Sequence, residues 1–389
     1  MNTVIHILTN DASPTRGGME GSVLRIAKYL SSISERQVFL YARESVGTPE
    51  ESEVYRAEGI ICVDLKQTVS AILRPLPLIG TENDKFRVEA LVFKMELQKQ
   101  MTAKRNTRHI VVSFLISTNG FIAQHVADEL CLPHIACVRG TDFSRDFYGL
   151  SRFAAIGHVV KRATWVVTVN NTQCSMLKKA FDRDGRILTV FNAMEQSSRR
   201  WTRSPSSQVR LFSDVGYSFK KGTHLLVTAV EELLAEKLPI QLTIVGREIG
   251  TEKGYWSRFK AAKIKEGGEI RFADHVPSGE VEGLILQSDI YCSASLGEGC
   301  ANGSLRALLL NIPIVATDCG ALPELSQGIK RVFLSSVGDL EGFKNNVRNA
   351  LNFLDVADDS DLKLLSALGR RLAPDNEYRQ WLDILNACP

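Results

Sequence analysis

The residues whose types and spacing could do chemistry lie in glycine-rich stretches. Ser295-Leu296-Gly297-Glu298-Gly299-Cys300-Ala301-Asn302-Gly303-Ser304 follows an apolar strand-like run and precedes an apolar helical one. A carboxylate between two glycines is held exposed at a sheet edge, where Glu298 can accept hydrogen bonds from hydroxyl groups. Downstream, Asn311 to Leu325 repeats the plan of strand, glycine loop and proline-started helix, which puts a second set of helix-start amides near Gly320. Phe219-Lys220-Lys221-Gly222-Thr223 places a lysine beside a glycine at a helix start, where it can hold a phosphate as a point charge. Taken alone, a surface lysine pair is more often just solvated. Gly17-Gly18-Met19-Glu20 would let backbone approach a bulky anion, although a mobile connecting loop explains these four residues equally well.

These stretches need a frame that brings them to one edge, and the apolar pattern supplies it. Short β-branched runs alternate with longer helix-period segments, as in βαβ units around parallel sheets. In the first half strands are predicted at Val4 to Leu8, Val38 to Tyr41, Ile60 to Val63, His109 to Phe114, His134 to Val138, Trp165 to Val169 and Ile187 to Phe191. The pattern stops at Glu195 to Ser207, a linker by composition. It resumes with strands at Val209 to Phe212, Gln241 to Val245, Ile270 to Phe272, Ile290 to Ser293, Ile312 to Val315 and Arg331 to Leu334, and with helices at Lys221 to Glu236 and Asn302 to Leu310. The expected fold class is α/β: two doubly wound Rossmann-like domains, 1–196 and 208–372, facing each other across a cleft. Ligands of such open sheets bind outside the carboxyl ends of the strands.

Bulk composition narrows the chemistry. A net charge of +3 on 389 residues leaves no global basic field that would draw the chain to nucleic acid. The eight cysteines form no C-x-x-C pair and the seven histidines no H-x-x-x-H, so reduced thiols, a cytoplasmic location and no tightly held metal are expected. No apolar run reaches the length of about eighteen residues that a membrane-spanning helix needs. Ile72 to Leu78, with Lys94, Lys99, Lys104, Arg105 and Arg108 nearby, is compatible with peripheral contact to an anionic inner membrane face, and fits better an acceptor-site loop followed by a solvated helix.

Spaced as they are, S-x-x-E-G-x-x-N, N-x-P-I-V-A-T-D-x-G and P-E-L, with a G-G-x-E loop near the N-terminus and a K-G-T turn mid-chain, resemble family 4 of the retaining GT-B glycosyltransferases. Thr168 to Asn171 and Val190-Phe191-Asn192 fall where that family has its V-S and P-N-G segments, so the resemblance covers essentially the whole chain. It implies that the N-terminal domain binds the acceptor and the C-terminal domain a nucleotide-diphosphate sugar, UDP- or GDP-linked. Gly17 and Gly18 would contact the donor diphosphate from across the cleft, Lys221 would neutralise the leaving phosphate, and Glu298 would contact the donor. Gly299, Asn302, Arg306 and Gly320 would line the donor site, with Glu20 and Asn192 on the acceptor side. A last helix, about 375–389 and carrying Trp381, Leu382 and Leu385, would pack back on the first domain. The sugar would pass with retention of configuration, and without cofactor or metal, to a glycan, a lipid-linked glycan or a small molecule.

The chain also departs from the family pattern. The second glutamate of the family's E-x7-E pair, which holds the donor ribose, falls on Arg306, and Val215-Gly216-Tyr217 stands where G-R is expected. An internal ion pair of Arg306 with Glu298 or Glu324, or a displaced contact with the ribose held by other groups, is the favoured expectation, and a contact to a donor phosphate the other. Arg139-Gly140-Thr141-Asp142 replaces a frequent His-Gly-x-Asp. Arg139 would add charge beside the leaving group with Asp142 orienting it, or the two form an ion pair capping a strand. A catalytically silent protein that binds nucleotide, glycan or a partner enzyme is the alternative reading, and a nucleotide-sugar epimerase a weaker one.

Overall fold

A computed structural model describes residues 2–13, 18–73, 82–183, 185–203, 206–248, 253–266, 269–356 and 360–389. Gly17 and residues 74–78 of the basic-apolar segment lie outside the described residues. The chain divides into two compact units, Met1–Phe191 with Glu377–Pro389, and Asn192–Asn376.

The first unit runs β1 (Thr3–Asp11), α1 (Gly18–Ser32), β2 (Arg36–Ser45), α2 (Pro49–Ala57), β3 (Ile60–Asp64), α3 (Leu65–Leu73) and α4 (Glu82–Ala103). It continues with β4 (Arg108–Phe114), α5 (Asn119–Leu130), β5 (His134–Cys137), α6 (Gly140–Ser144), α7 (Leu150–Arg162), β6 (Trp165–Thr168), α8 (Asn171–Phe181) and β7 (Ile187–Thr189). The strands form one parallel sheet in the order β3-β2-β1-β4-β5-β6-β7. Central strands are covered on both faces, which is why they read as near-continuous apolar runs such as Val4 to Leu8, interrupted only by the buried His6. The C-terminal residues Trp381, Ile384 and Leu385 join this core, with Arg25 donating to Glu377 at 2.8 Å and Tyr29 stacked on Tyr378.

The second unit runs β8 (Val209–Ser213), α9 (Thr223–Ala235), β9 (Ile240–Val245), α10 (Lys253–Glu266), β10 (Ile270–Ala273), α11 (Ser278–Leu286) and β11 (Ile290–Ser293). Then follow α12 (Asn302–Leu309), β12 (Ile314–Thr317), α13 (Leu322–Leu325), β13 (Val332–Ser335), α14 (Leu340–Val356), α15 (Leu362–Arg371) and α16 (Pro374–Asn386), whose later turns belong to the first unit. Its parallel sheet has the order β10-β9-β8-β11-β12-β13. The strand order reverses between β8 and β11, and the carboxyl ends there flank a crevice of the kind that takes ligands in open α/β sheets.

Among the boundaries that differ from expectation, two have a plain local reason. Helix α9 starts at Thr223 rather than Lys221 because Gly222 adopts a left-handed φ of 63°, which leaves Lys221 in the turn. Strand β12 starts at Ile314 because Pro313 has no N–H to give the ladder and contributes only its carbonyl, to Tyr291 N at 2.9 Å. Among the described residues no helix is long and apolar enough to cross a membrane.

Candidate functional site

The turn after β8 is fixed by its own residues. Thr223 Oγ1 donates to the Gly216 carbonyl at 2.9 Å, and Lys221 N donates to Ser218 Oγ at 3.2 Å. A Cβ on Gly222 would lie 1.8 Å from the Ala294 carbonyl oxygen, so only glycine lets this turn pack against the end of β11. Leu296 N donates to the Lys220 carbonyl at 2.8 Å and ties the loop after β11 to the same turn.

That close approach brings the two principal candidates together across the switch point. Lys221 Nζ donates to Glu298 Oε1 at 2.6 Å, and Ser295 Oγ donates to the same oxygen at 2.8 Å. Thr317 Oγ1, at the end of β12, donates to the Ser295 carbonyl at 2.5 Å. Gly320, with φ 70°, lies so close that a Cβ would come 2.9 Å from Glu298 Cβ and 3.0 Å from the Gly299 carbonyl. Three strand-end loops therefore converge on one half-buried carboxylate. Burial raises the Glu298 carboxyl, but Lys221 and Ser295 outweigh it and hold it below the ordinary value. Burial lowers the Lys221 ammonium, and Glu298 outweighs that in turn.

Beside this pair, Asn192 Nδ2 donates to Asn302 Oδ1 at 3.2 Å, and Asn192 groups with the second unit rather than with the first. The Tyr291 hydroxyl donates to Asp214 in a short hydrogen bond, a polar contact under α12 that no motif announced. The expected internal pair of Arg306 is not formed. Lys221 already occupies Glu298, and among the described residues the Arg306 guanidinium makes no hydrogen bond or ion pair with Glu298, Glu324 or any other residue.

In the first unit Arg139 and Asp142 sit at the carboxyl ends of β4 and β5. Asp142 is buried and accepts from Ile116 N at 2.9 Å and from Arg139 N at 2.8 Å, so its carboxylate fixes two loops through backbone amides. Burial pushes its carboxyl up to about 6. The Arg139 guanidinium lies over the Phe114 ring, 4.6 Å from its centroid, and is likewise buried. Gly18 opens α1 and is exposed, and Glu20 in the same turn is half-buried. Sequence reasoning missed the network at the ends of β1 and β2, where Arg43 donates to Glu89 at 2.5 Å, to Asn119 at 2.8 Å and to Asn10 at 3.2 Å. Its members come from four elements, and only the sheet order joins them. Among the described residues no three His, Cys, Asp or Glu side chains group as a metal site would.

Residues 210–352 match the family described as Glycosyl transferases group 1. A curated relative, the putative colanic acid biosynthesis glycosyltransferase WcaL of Salmonella typhimurium, is 24% identical over 186 residues, 46% of this chain and 43% of that one. The match thus spans less than half of the relative's length. Over the whole chain the fold superposes on Anabaena HepE in complex with UDP, with a TM-score of 0.74, 13% identity and 100% coverage of both chains. Sucrose-phosphate synthase from Thermosynechococcus elongatus gives a TM-score of 0.77 at 12% identity, covering 99% of this chain and 98% of that one.

Proposed function

For a chain of GT-B fold whose residues 210–352 match the glycosyl transferases group 1 family, we propose a retaining, metal-independent glycosyltransferase that takes a sugar from a nucleotide diphosphate. The observation that carries this reading is the Lys221–Glu298 pair at the switch point of the second sheet, a cation and a carboxylate held 2.6 Å apart where open sheets bind ligands. HepE, which shares the fold, binds UDP and UDP-glucose.

In the reaction the bond between the anomeric carbon and the phosphate oxygen breaks, and the leaving diphosphate gains charge. Lys221 and the amides near Gly320 stabilise that charge, each well-placed donor supplying on the order of 3 kcal/mol. Glu298 accepts hydrogen bonds from donor hydroxyls. The acceptor hydroxyl attacks the face the phosphate leaves, the phosphate oxygen takes its proton, and no side-chain nucleophile is needed. In the first unit Arg139 lies over Phe114, and Asp142 holds its loop through the Arg139 amide.

The acceptor is a glycan, a lipid-linked glycan or a small molecule, in keeping with the colanic acid assignment of WcaL. Tyr148 and Leu150, 73% and 88% exposed between Arg145 and Arg152, suit a peripheral contact with an anionic membrane face in the cytoplasm. The arginine at 306 favours a second reading, a chain that binds nucleotide without turnover. A panel of UDP- and GDP-sugars decides between them. With a simple alcohol supplied as acceptor, free nucleotide diphosphate from one donor and an alkyl glycoside with that donor's anomeric configuration by NMR are expected; binding without release over the whole panel supports the silent protein.

A further inference from the structure

Arg306 lies in the second turn of α12, three residues beyond Gly303, and is half-buried. Positions three apart share a helix face, so Arg306 stands one turn beyond Gly303 on the same face of α12. Tyr291 and Asp214 lie directly beneath Gly303, where a Cβ would meet Tyr291 Oη at 2.3 Å and Asp214 Oδ1 at 2.6 Å. Arg306 and Glu298 both lie near enough to the Tyr291 hydroxyl to act on it electrostatically.

The anionic groups around Tyr291 are already engaged. Glu298 is taken by Lys221 and Ser295, and Asp214 accepts from Tyr291. The Arg306 guanidinium has no hydrogen-bond or ion-pair partner among the described residues, whereas Arg210 in the same unit, also partly buried, chelates Asp289 through two bonds of 3.0 and 2.9 Å. A guanidinium has only donors and suits a planar or tetrahedral oxyanion, and it cannot grip a pair of ribose hydroxyls as a carboxylate would.

We propose that Arg306 holds an oxyanion of the donor, so that this chain recognises the charged part of the nucleotide where its family pattern recognises ribose. The assignment rests on the reading of the second unit as the donor site. The oxyanion is either the diphosphate or a carboxylate on the donor sugar, and the probes separate the two. Calorimetry and NMR titration of the full chain with UDP, GDP, uridine, guanosine, UDP-glucose and UDP-glucuronate would be run on the parent, Arg306→Gln and Arg306→Lys. Arg306→Gln should weaken the preferred ligand by about tenfold or more, Arg306→Lys by less, and nucleoside binding should stay within about twofold. Loss for UDP or GDP itself identifies the diphosphate; loss confined to UDP-glucuronate relative to UDP-glucose identifies the sugar carboxylate. Equal weakening of nucleoside and diphosphate, or unchanged binding throughout, overturns the assignment. Matching thermal melts of parent and Arg306→Gln keep misfolding out of the comparison. A parent that binds neither nucleotide nor nucleoside overturns the donor-site reading as well.

Discussion

Replacing Lys221 with alanine removes a cation with two roles, and the structure separates their sizes. In the resting chain its Nζ lies 2.6 Å from Glu298 Oε1, with side-chain exposures of 26% and 14%. Breaking a fully buried pair costs about 3–5 kcal/mol, but here water reaches both partners and Ser295 still donates to Glu298, so a loss of about 1–2 kcal/mol is expected. The catalytic loss is larger. One preorganised donor to the leaving diphosphate contributes about 3 kcal/mol, or roughly a hundredfold in turnover. Nucleotide diphosphate affinity should fall about tenfold for the lost charge-assisted bond. Lys220→Ala is the control, because the neighbouring loop is tied to the Lys220 carbonyl, which the substitution keeps. Calorimetric titration with nucleotide diphosphate and a turnover assay on the three proteins read both effects. Affinity and turnover of Lys221→Ala within about threefold of the parent and of Lys220→Ala would refute the phosphate role.

Gly222→Ala should destabilise the second unit by about 3 kcal/mol or more, since its Cβ would enter the Ala294 carbonyl at a φ of 63°; a thermal melt matching the parent contradicts this. His6 and His134 are held at about 3 from an ordinary value of 6.5, both chiefly by burial. The unfolded chain therefore binds protons that the folded one refuses, and the stability present above 6.5 falls as the pH drops toward 3. By about pH 5 each should have cost roughly 1–2 kcal/mol, and urea unfolding of the parent and His134→Gln at about pH 7.5 and about pH 5 checks it: the variant should lose less, and equal losses would remove His134 from the effect. A chelator should leave sugar transfer unchanged within about twofold, and loss that magnesium or manganese restores would contradict a mechanism in which Lys221 and backbone amides do a cation's work.

The strands are legible in the sequence because a parallel sheet covered on both faces needs near-continuous apolar runs, and Val38 to Tyr41 or Ile110 to Val112 show them plainly. Strand ends are less so. Polar residues such as Asn10, Arg43 and Ser213 carry the strands past the apolar pattern. Glu298 and Lys221 are each visible in their glycine loops, but their pairing spans 77 residues and follows from β8 lying beside β11. The expectation for Arg306 fails for the same reason. Spacing along the chain suggests Glu298 as its partner, while nothing in the spacing says that Lys221 has taken that carboxylate first. The Arg43–Glu89–Asn119 network has no motif at all, since its members are ordinary polar residues until the fold buries them together.

The most direct test of Glu298 as the heart of a nucleotide-sugar site is donor breakdown by the parent and Glu298→Gln side by side. The substitution removes a charge and little volume, and the amide oxygen it introduces can still accept from Ser295, so the melting curve should change little. With a donor that the parent accepts, release of free nucleotide diphosphate should be nearly abolished in the variant. Release within about threefold of the parent would take Glu298 out of the site, and a parent that releases none from any donor would contradict the enzyme reading itself.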